Sequence, residues 1–311
     1  MSVERQVNKA IEIAKSKRGT ILAEAISEQC KEKANFFSAH KKFTSDINIV
    51  FFHINIPAKD SVVETIDIKS IDHHAFEYEA MIALNIKVAL WSNPRARVFL
   101  ITDKQFMENF EHERVTVIRS HVVPSEPMYE RVMAYNAYVQ STLFDAPTVF
   151  LDSDAFLINS PDSLFMLDFD VGVTHRDVIG QMPINEGVIF ANNYRKDCVI
   201  NFFNAYLSIY SALEDDRELG TIYQRIRRWR GGQLSINGAS GGFTKYATGI
   251  QSDELGFQKA LLPCSMFNLS LESFGPGRVD MFNRSMVLHF KGPRKTWISA
   301  FEESLYVQGF N

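Results

Sequence analysis

Pro147-Thr148-Val149-Phe150-Leu151-Asp152-Ser153-Asp154-Ala155 is the stretch on which the reading of this chain turns. Thr148 to Leu151 are strand formers of the kind that fill a buried sheet, and two acids stand where that strand ends. In extended backbone residues i and i+2 share a face, so Asp152 and Asp154 would present carboxylates about 6.5–7 Å apart, with Ser153 pointing away. Two carboxylates that lose water together repel, and a divalent cation between them relieves the cost. The pair is read as metal ligands. Two other readings stay open at this point. One is ordinary Asp chemistry at a turn. The other is a phosphatase of the haloacid dehalogenase type, in which the first Asp is the phosphoryl nucleophile and the second the acid; such enzymes usually carry Thr or Val where Phe156 stands.

Upstream, Asp46 to His53 reads as a buried strand leading to polar His53 and Asn55 before Pro57. A helix over about His74 to Trp91 follows, stopped by Asn93-Pro94. Arg97 to Asp103 and Arg114 to Ile118 read as further strands, and Glu130 to Phe144 as a helix with Val132, Tyr135, Val139 and Leu143 at core spacing. Strands alternating with helices predict an α/β fold with a mainly parallel sheet and a ligand crevice at the strand C-termini. His53, Asn55, Thr102, Asp103, Asp152 and Asp154 would all reach that edge. Arg131 lies in the first turn of its helix, where it opposes the helix dipole. It is either solvated there or answers an anion, and a solvated Arg is the simpler expectation.

Downstream, Asp168 to Thr174 and Ile184 to Asn192 read as strands and Cys198 to Leu213 as an amphipathic helix. Tyr223 to Arg230 is a basic run, read as a solvated face or a surface that docks an anionic acceptor, and the Gly-rich Gly231 to Gly242 as a mobile loop or lid. Asp253 to Leu262 reads as a short helix with acids at its start. Val287 to Trp297 reads as a strand that turns through Gly292-Pro293 into a last helix; on such a strand His289 is by itself most simply a hydrogen-bonded structural residue. Residues 3–40 are predicted helical with a break near Gly19. Together, residues 1–45 form an N-terminal helical extension that packs on the main domain, residues 46–311, or on another subunit as a homo-oligomer contact.

Composition bounds the rest. The 311 residues are 46% hydrophobic with a net charge of −4, enough for a large core and unlike a general nucleic-acid binder. Cys30, Cys198 and Cys264 are odd in number and far apart, without a disulfide or zinc pattern. Neither a signal core nor a transmembrane segment is read, so a cytoplasmic place is expected, and the sequons at Asn268 and Asn283 are read as chance matches.

Four of these pieces, in order, resemble the glycogenin-type retaining glycosyltransferases: Tyr129-Glu130-Arg131, Phe150-Leu151-Asp152-Ser153-Asp154, Ile184-Asn185-Glu186-Gly187-Val188, and His289-Phe290-Lys291-Gly292 with Lys295 and Trp297. The last is the most specific. The resemblance implies a GT-A fold that binds a nucleotide-diphosphate sugar, UDP-sugar as first guess, and passes the sugar to a saccharide or other hydroxyl acceptor. It also implies that Asp152, Asp154 and His289 hold Mn²⁺, Mg²⁺ being the alternative; one imidazole among oxygens favours the softer ion. Arg131 and Lys295 match positions on the donor sugar or diphosphate, and Ser153 and Gly292 fall on the nucleotide side with His53, Asn55 and Asp103. Asn185 and Gly187 line the sugar site, while Asp253 and Glu254 fall near the reacting carbon and acceptor. Glu186 stands where the family commonly has Ala or Ser, Glu254 where it has Gln, and Thr296 where it has Pro.

Overall fold

The computed structural model describes residues 1–23, 28–40, 46–54, 78–106, 110–176, 182–213, 215–219, 231–241, 249–252, 257–270 and 284–310. Among them an eight-stranded sheet forms the centre. Its strands are β1 (Asn48–His53), β2 (Arg97–Thr102), β3 (Val115–Arg119), β4 (Thr148–Leu151), β6 (Val171–His175), β7 (Ile184–Ala191), β8 (Gly249–Ser252) and β9 (Gln258–Pro263). They lie in the order β3-β2-β1-β4-β7-β6-β9-β8. β3, β2, β1 and β4 pair in parallel, β7 enters antiparallel between β4 and β6, and β6 pairs in parallel with β9. The fold is therefore α/β with a mainly parallel sheet, as the alternating pattern predicts. A separate ribbon pairs β5 (Ala155–Leu157) antiparallel with β10 (Val287–His289).

Both faces of the sheet are covered, which is why its strands are continuous apolar runs. Along β1, Val50 and Phe52 face one core and Ile49 and Phe51 the other. On the first face lie α4 (Pro127–Gln140), α6 (Lys196–Ala212) and the helical residues 231–239; α3 (Tyr78–Ser92) and the short α5 (Asp162–Phe165) pack on the second, and a third apolar cluster joins α3 to the closing helix Ile298–Val307. Burying a side chain such as Phe150, 1% exposed, is worth about 1.5–3 kcal/mol.

Several local expectations are corrected. α1 (Val3–Ala23) runs through Gly19 without a break. With α2 (Glu28–Ser38) it packs on the chain's own α6 and α4, burying Val7, Ala10, Ala14, Cys30, Ala34 and Phe37 in the first core. Cys30 is fully enclosed, and burial pushes its thiol up to about 12.

Residues 231–239, expected as a loop, are helical. Their glycines serve close approach rather than flexibility: a Cβ on Gly238 would come 2.8 Å from the carbonyl oxygen of Ala10 in α1. Residues 258–263, expected as helix, are strand β9, because pairing with β6 on one side and β8 on the other outweighs local preference. The basic run Tyr223 to Arg230 lies outside the described residues, as do Asn55, Asp253 and Glu254.

Candidate metal centre

The acidic pair does not continue β4. Asp152 to Asp154 form a tight turn between β4 and β5, closed by the Ala155 amide donating to the Asp152 carbonyl at 3.0 Å. The extended spacing expected for the two carboxylates is thereby corrected: folding the chain back brings their oxygens nearer. Three long-range contacts pin the turn. The Asp152 amide donates to the Gly187 carbonyl in β7 at 2.9 Å, and the Phe290 amide beyond β10 donates to the Asp154 carbonyl at 2.9 Å. From α3 the fully buried Asn85 donates through Nδ2 to the carbonyls of Ser153 and Ala155, at 3.0 and 2.9 Å.

β10 then delivers His289. One ligand atom from each of Asp152, Asp154 and His289 lies within 4.8 Å of the other two. His289 Nε2 is 3.0 Å from Asp154 Oδ1 and 3.7 Å from Asp152 Oδ2, and Nδ1 is 2.8 Å from Asn268 Oδ1. The ring is 3% exposed, and burial first, then the Lys291 charge, hold its pKa below the usual imidazole value. A neutral ring has one lone pair. Nδ1 faces Asn268 and Nε2 faces two carboxylates, so a ring protonated on Nδ1 would turn that lone pair to a point where a cation could sit between all three. The donor set of two carboxylates and one imidazole therefore fits a divalent metal.

Cations already stand behind each aspartate. Arg131, 5% exposed, pairs through Nη1 with Asp152 Oδ1, and its Nη2 lies 2.7 Å from Glu186 Oε2. The expectation of a solvated, first-turn Arg131 is corrected: α4 starts at Pro127, which puts Arg131 beyond its first turn, and although burial lowers its pKa, Asp152 and Glu186 outweigh that and raise it. Lys295 Nζ pairs with Asp154 Oδ2. Although burial pushes the Asp154 carboxyl up, Lys295 and His289 outweigh it and hold the group well below the usual carboxylate range. Lys295 rides on the 3₁₀ turn Gly292–Trp297, whose start requires the left-handed φ of +53° that Gly292 supplies.

Glu186 and Gly187 owe their places to a bulge in β7. The β6/β7 register steps from Val173↔Ile189 to Thr174↔Asn185, so residues 186–188 swell toward the turn. Glu186, where the resembled family has a small residue, is buried; it accepts from Tyr206 Oη at 2.9 Å and faces Gly232, where a Cβ would come 2.3 Å from its Oε2. Burial raises its pKa. Asn185 Oδ1 accepts from the Gly187 amide at 3.1 Å, holding the bulge closed.

The remaining sequence candidates are distributed as follows. His53 ends β1 beside Thr102 and packs edge-on to Phe106 at 5.8 Å. Asp103 caps its own turn, Oδ1 accepting from the amides of Gln105 and Phe106 at 2.6 and 3.0 Å. Ser153 sits half-buried between the two aspartates. Sequence reasoning missed Asn85, Asn268, Lys291 and Glu186. Glu186 and Lys291 had a local signal, each standing inside one of the quoted motifs, but neither was given a role in the site. Burial, then the Arg176 charge, brings Lys291 down to about 8, and among the described residues no carboxylate pairs with it.

No protein-family model matches the chain, and no curated protein matches it. Solved structures do match it. Galactosyltransferase LgtC in complex with donor and acceptor sugar analogues is 13% identical, with 80% of this chain and 89% of that chain covered and a TM-score of 0.46. The glycosyltransferase GlyE of Streptococcus pneumoniae TIGR4 is 12% identical, with 82% and 56% covered and a TM-score of 0.45. Mouse xyloside xylosyltransferase 1 is 11% identical, with 80% and 98% covered and a TM-score of 0.43. At these identities and TM-scores the likeness carries no part of the functional reading below.

Proposed function

We propose that the chain is a metal-dependent glycosyltransferase of the GT-A type, moving a sugar from a nucleotide-diphosphate sugar to a hydroxyl acceptor, with UDP-sugar the first donor to try and retention the stereochemistry the glycogenin-type resemblance implies. The observation that carries it is the convergence of Asp152, Asp154 and His289 on one point at the C-terminal end of β4, with His289 Nε2 turned toward both acids. Those three residues would hold Mn²⁺, or Mg²⁺. When bound, the cation supplies Lewis-acid charge to the departing diphosphate.

The chain's own residues do the rest. With the carboxylates engaged on a cation, Arg131 and Lys295 would each lose part of a partner. Both are then placed to meet phosphate oxygens, where charge grows as the bond to the sugar breaks. Asn185 and Gly187 would border the sugar, with Glu186 behind them fixing Arg131. His53, Asn55 and Asp103 would form the base side, Ser153 and Gly292 the phosphate approach, and Asp253 and Glu254 the acceptor side. Among the described residues no helix is long and apolar enough to cross a membrane.

The test offers a panel of nucleotide-diphosphate sugars with Mn²⁺ and measures released nucleoside diphosphate. Release that needs Mn²⁺ and is lost in Asp154→Asn supports the proposal. Inorganic phosphate from simple phosphomonoesters would replace it with the phosphatase, and binding without release of either would leave a nucleotide-sugar-binding protein.

A further inference from the structure

We infer that Asn268 is a positioning residue that dictates which nitrogen of His289 faces the two aspartates, and so makes His289 a metal ligand; this rests on the metal reading above. Asn268 follows the short helix Cys264–Phe267. Its place beside His289 is fixed by backbone: the Leu269 amide donates to the Val287 carbonyl at 2.9 Å and the His289 amide to the Leu269 carbonyl at 2.8 Å. Asn268 is 1% exposed, so its amide must find its partners inside the protein.

One orientation satisfies those partners in turn. The Asn185 carbonyl can only accept, and Thr174 Oγ1 lies 3.1 Å from it, so the Thr174 hydroxyl donates there, while the Cys264 thiol that also meets Thr174 carries its own proton. Thr174 Oγ1 is then an acceptor, and the Asn268 group 2.8 Å away must be the donating Nδ2. That turns Asn268 Oδ1 toward His289 Nδ1 at 2.8 Å, which must carry the ring proton. The remaining nitrogen, Nε2, presents its lone pair to Asp154 Oδ1 and Asp152 Oδ2. Reversing the amide would reverse each step: Nε2 would hold the proton and give Asp154 a hydrogen bond, and the site would lose its nitrogen ligand. A carbonyl in the β7 bulge thus fixes the protonation pattern of a ring on β10 through two neutral side chains. Such outer hydrogen bonds commonly set the tautomer of a ligating histidine.

The experiment uses the full chain. Free Mn²⁺ is followed by electron paramagnetic resonance in titrations of wild type, Asn268→Leu and Asn268→Asp, with UDP present, and ¹⁵N resonances of the metal-free wild type report the His289 tautomer. Asn268→Leu removes the accepting oxygen and should weaken Mn²⁺ about 10- to 100-fold. Asn268→Asp keeps it and should restore most of the affinity, a rescue that a merely structural role would not produce. The metal-free ring should carry its proton on Nδ1. If Asn268→Leu does not fold, Thr174→Val, which frees the amide to turn, should show a smaller loss in the same direction. Undiminished affinity in Asn268→Leu, or a proton on Nε2 in the metal-free wild type, would overturn the inference and leave the metal reading intact. Absence of Mn²⁺ binding by the wild type would overturn both.

Discussion

Gly187→Ala puts the packing of the metal centre under direct test. A Cβ at this position would stand 2.3 Å from His289 Cε1, 2.9 Å from its Nδ1 and 2.7 Å from Asp152 Oδ2. Carbon atoms rest about 3.5–4.0 Å apart, so the ring would have to retreat by roughly 1.2 Å or more. The backbone cannot give way instead, because the Gly187 carbonyl holds the Asp152 amide at 2.9 Å and its own amide is held by Asn185. Metal sites tolerate ligand displacements of only about 0.2 Å, so His289 or Asp152 is lost to the metal. Overpacking of this kind costs about 1–3 kcal/mol, within the about 5–15 kcal/mol that holds a domain folded. The variant should therefore melt cooperatively, a few degrees low, and bind Mn²⁺ at least ~10²-fold more weakly. Calorimetric melting and a Mn²⁺ titration with UDP check the two halves separately. A folded Gly187→Ala protein with wild-type Mn²⁺ affinity would refute the claim that this residue makes room for the ligands.

Asn85→Ala withdraws the donors from the Ser153 and Ala155 carbonyls and should destabilise the chain by about 2–4 kcal/mol in denaturant unfolding, with a matching loss of Mn²⁺ affinity; a change under about 0.5 kcal/mol would mean the turn holds itself. Because burial lowers the His289 pKa, Mn²⁺ affinity should stay flat from pH 8 to about 6.5 and fall only below it, as protons begin to compete for Nε2, while His289→Ala binds weakly without that slope. The same shift costs stability in the metal-free protein as pH drops below about 6.5, since the unfolded imidazole takes its proton first; the depressed Asp154 acts in the same direction at lower pH, its contribution present above about pH 4 and lost as pH falls from there through its folded value.

Much of the sheet was legible from local chemistry. β-branched and aromatic runs marked β1, β2, β3, β4, β6 and β7 within a few residues, because two buried faces leave little freedom in composition. The misreadings occurred where a tertiary partner outweighs local preference. Gly231 to Gly242 looks like a loop by composition, yet residues 231–239 are helix, packed so closely that side chains at Gly232 and Gly238 would strike Glu186 and Ala10. β9 had helical character by itself and is a strand because β6 and β8 flank it.

By itself the sequence determined the acids at a strand end, the Gly292 turn bearing Lys295, and an order of motifs that proposed the ligand set. Only the tertiary structure decided that Asp154 and His289, 135 residues apart, stand 3.0 Å from each other. It alone decided that Arg131 is buried between Asp152 and Glu186 rather than solvated, and that Asn268, visible in sequence only as part of a sequon, fixes the imidazole. The physical reason is one of range. Backbone preference and apolar periodicity are properties of neighbouring residues and can be read along the chain. The partner of a buried charge or the proton of a buried ring is settled by whichever polar group the fold places within about 3 Å, and local spacing does not encode that.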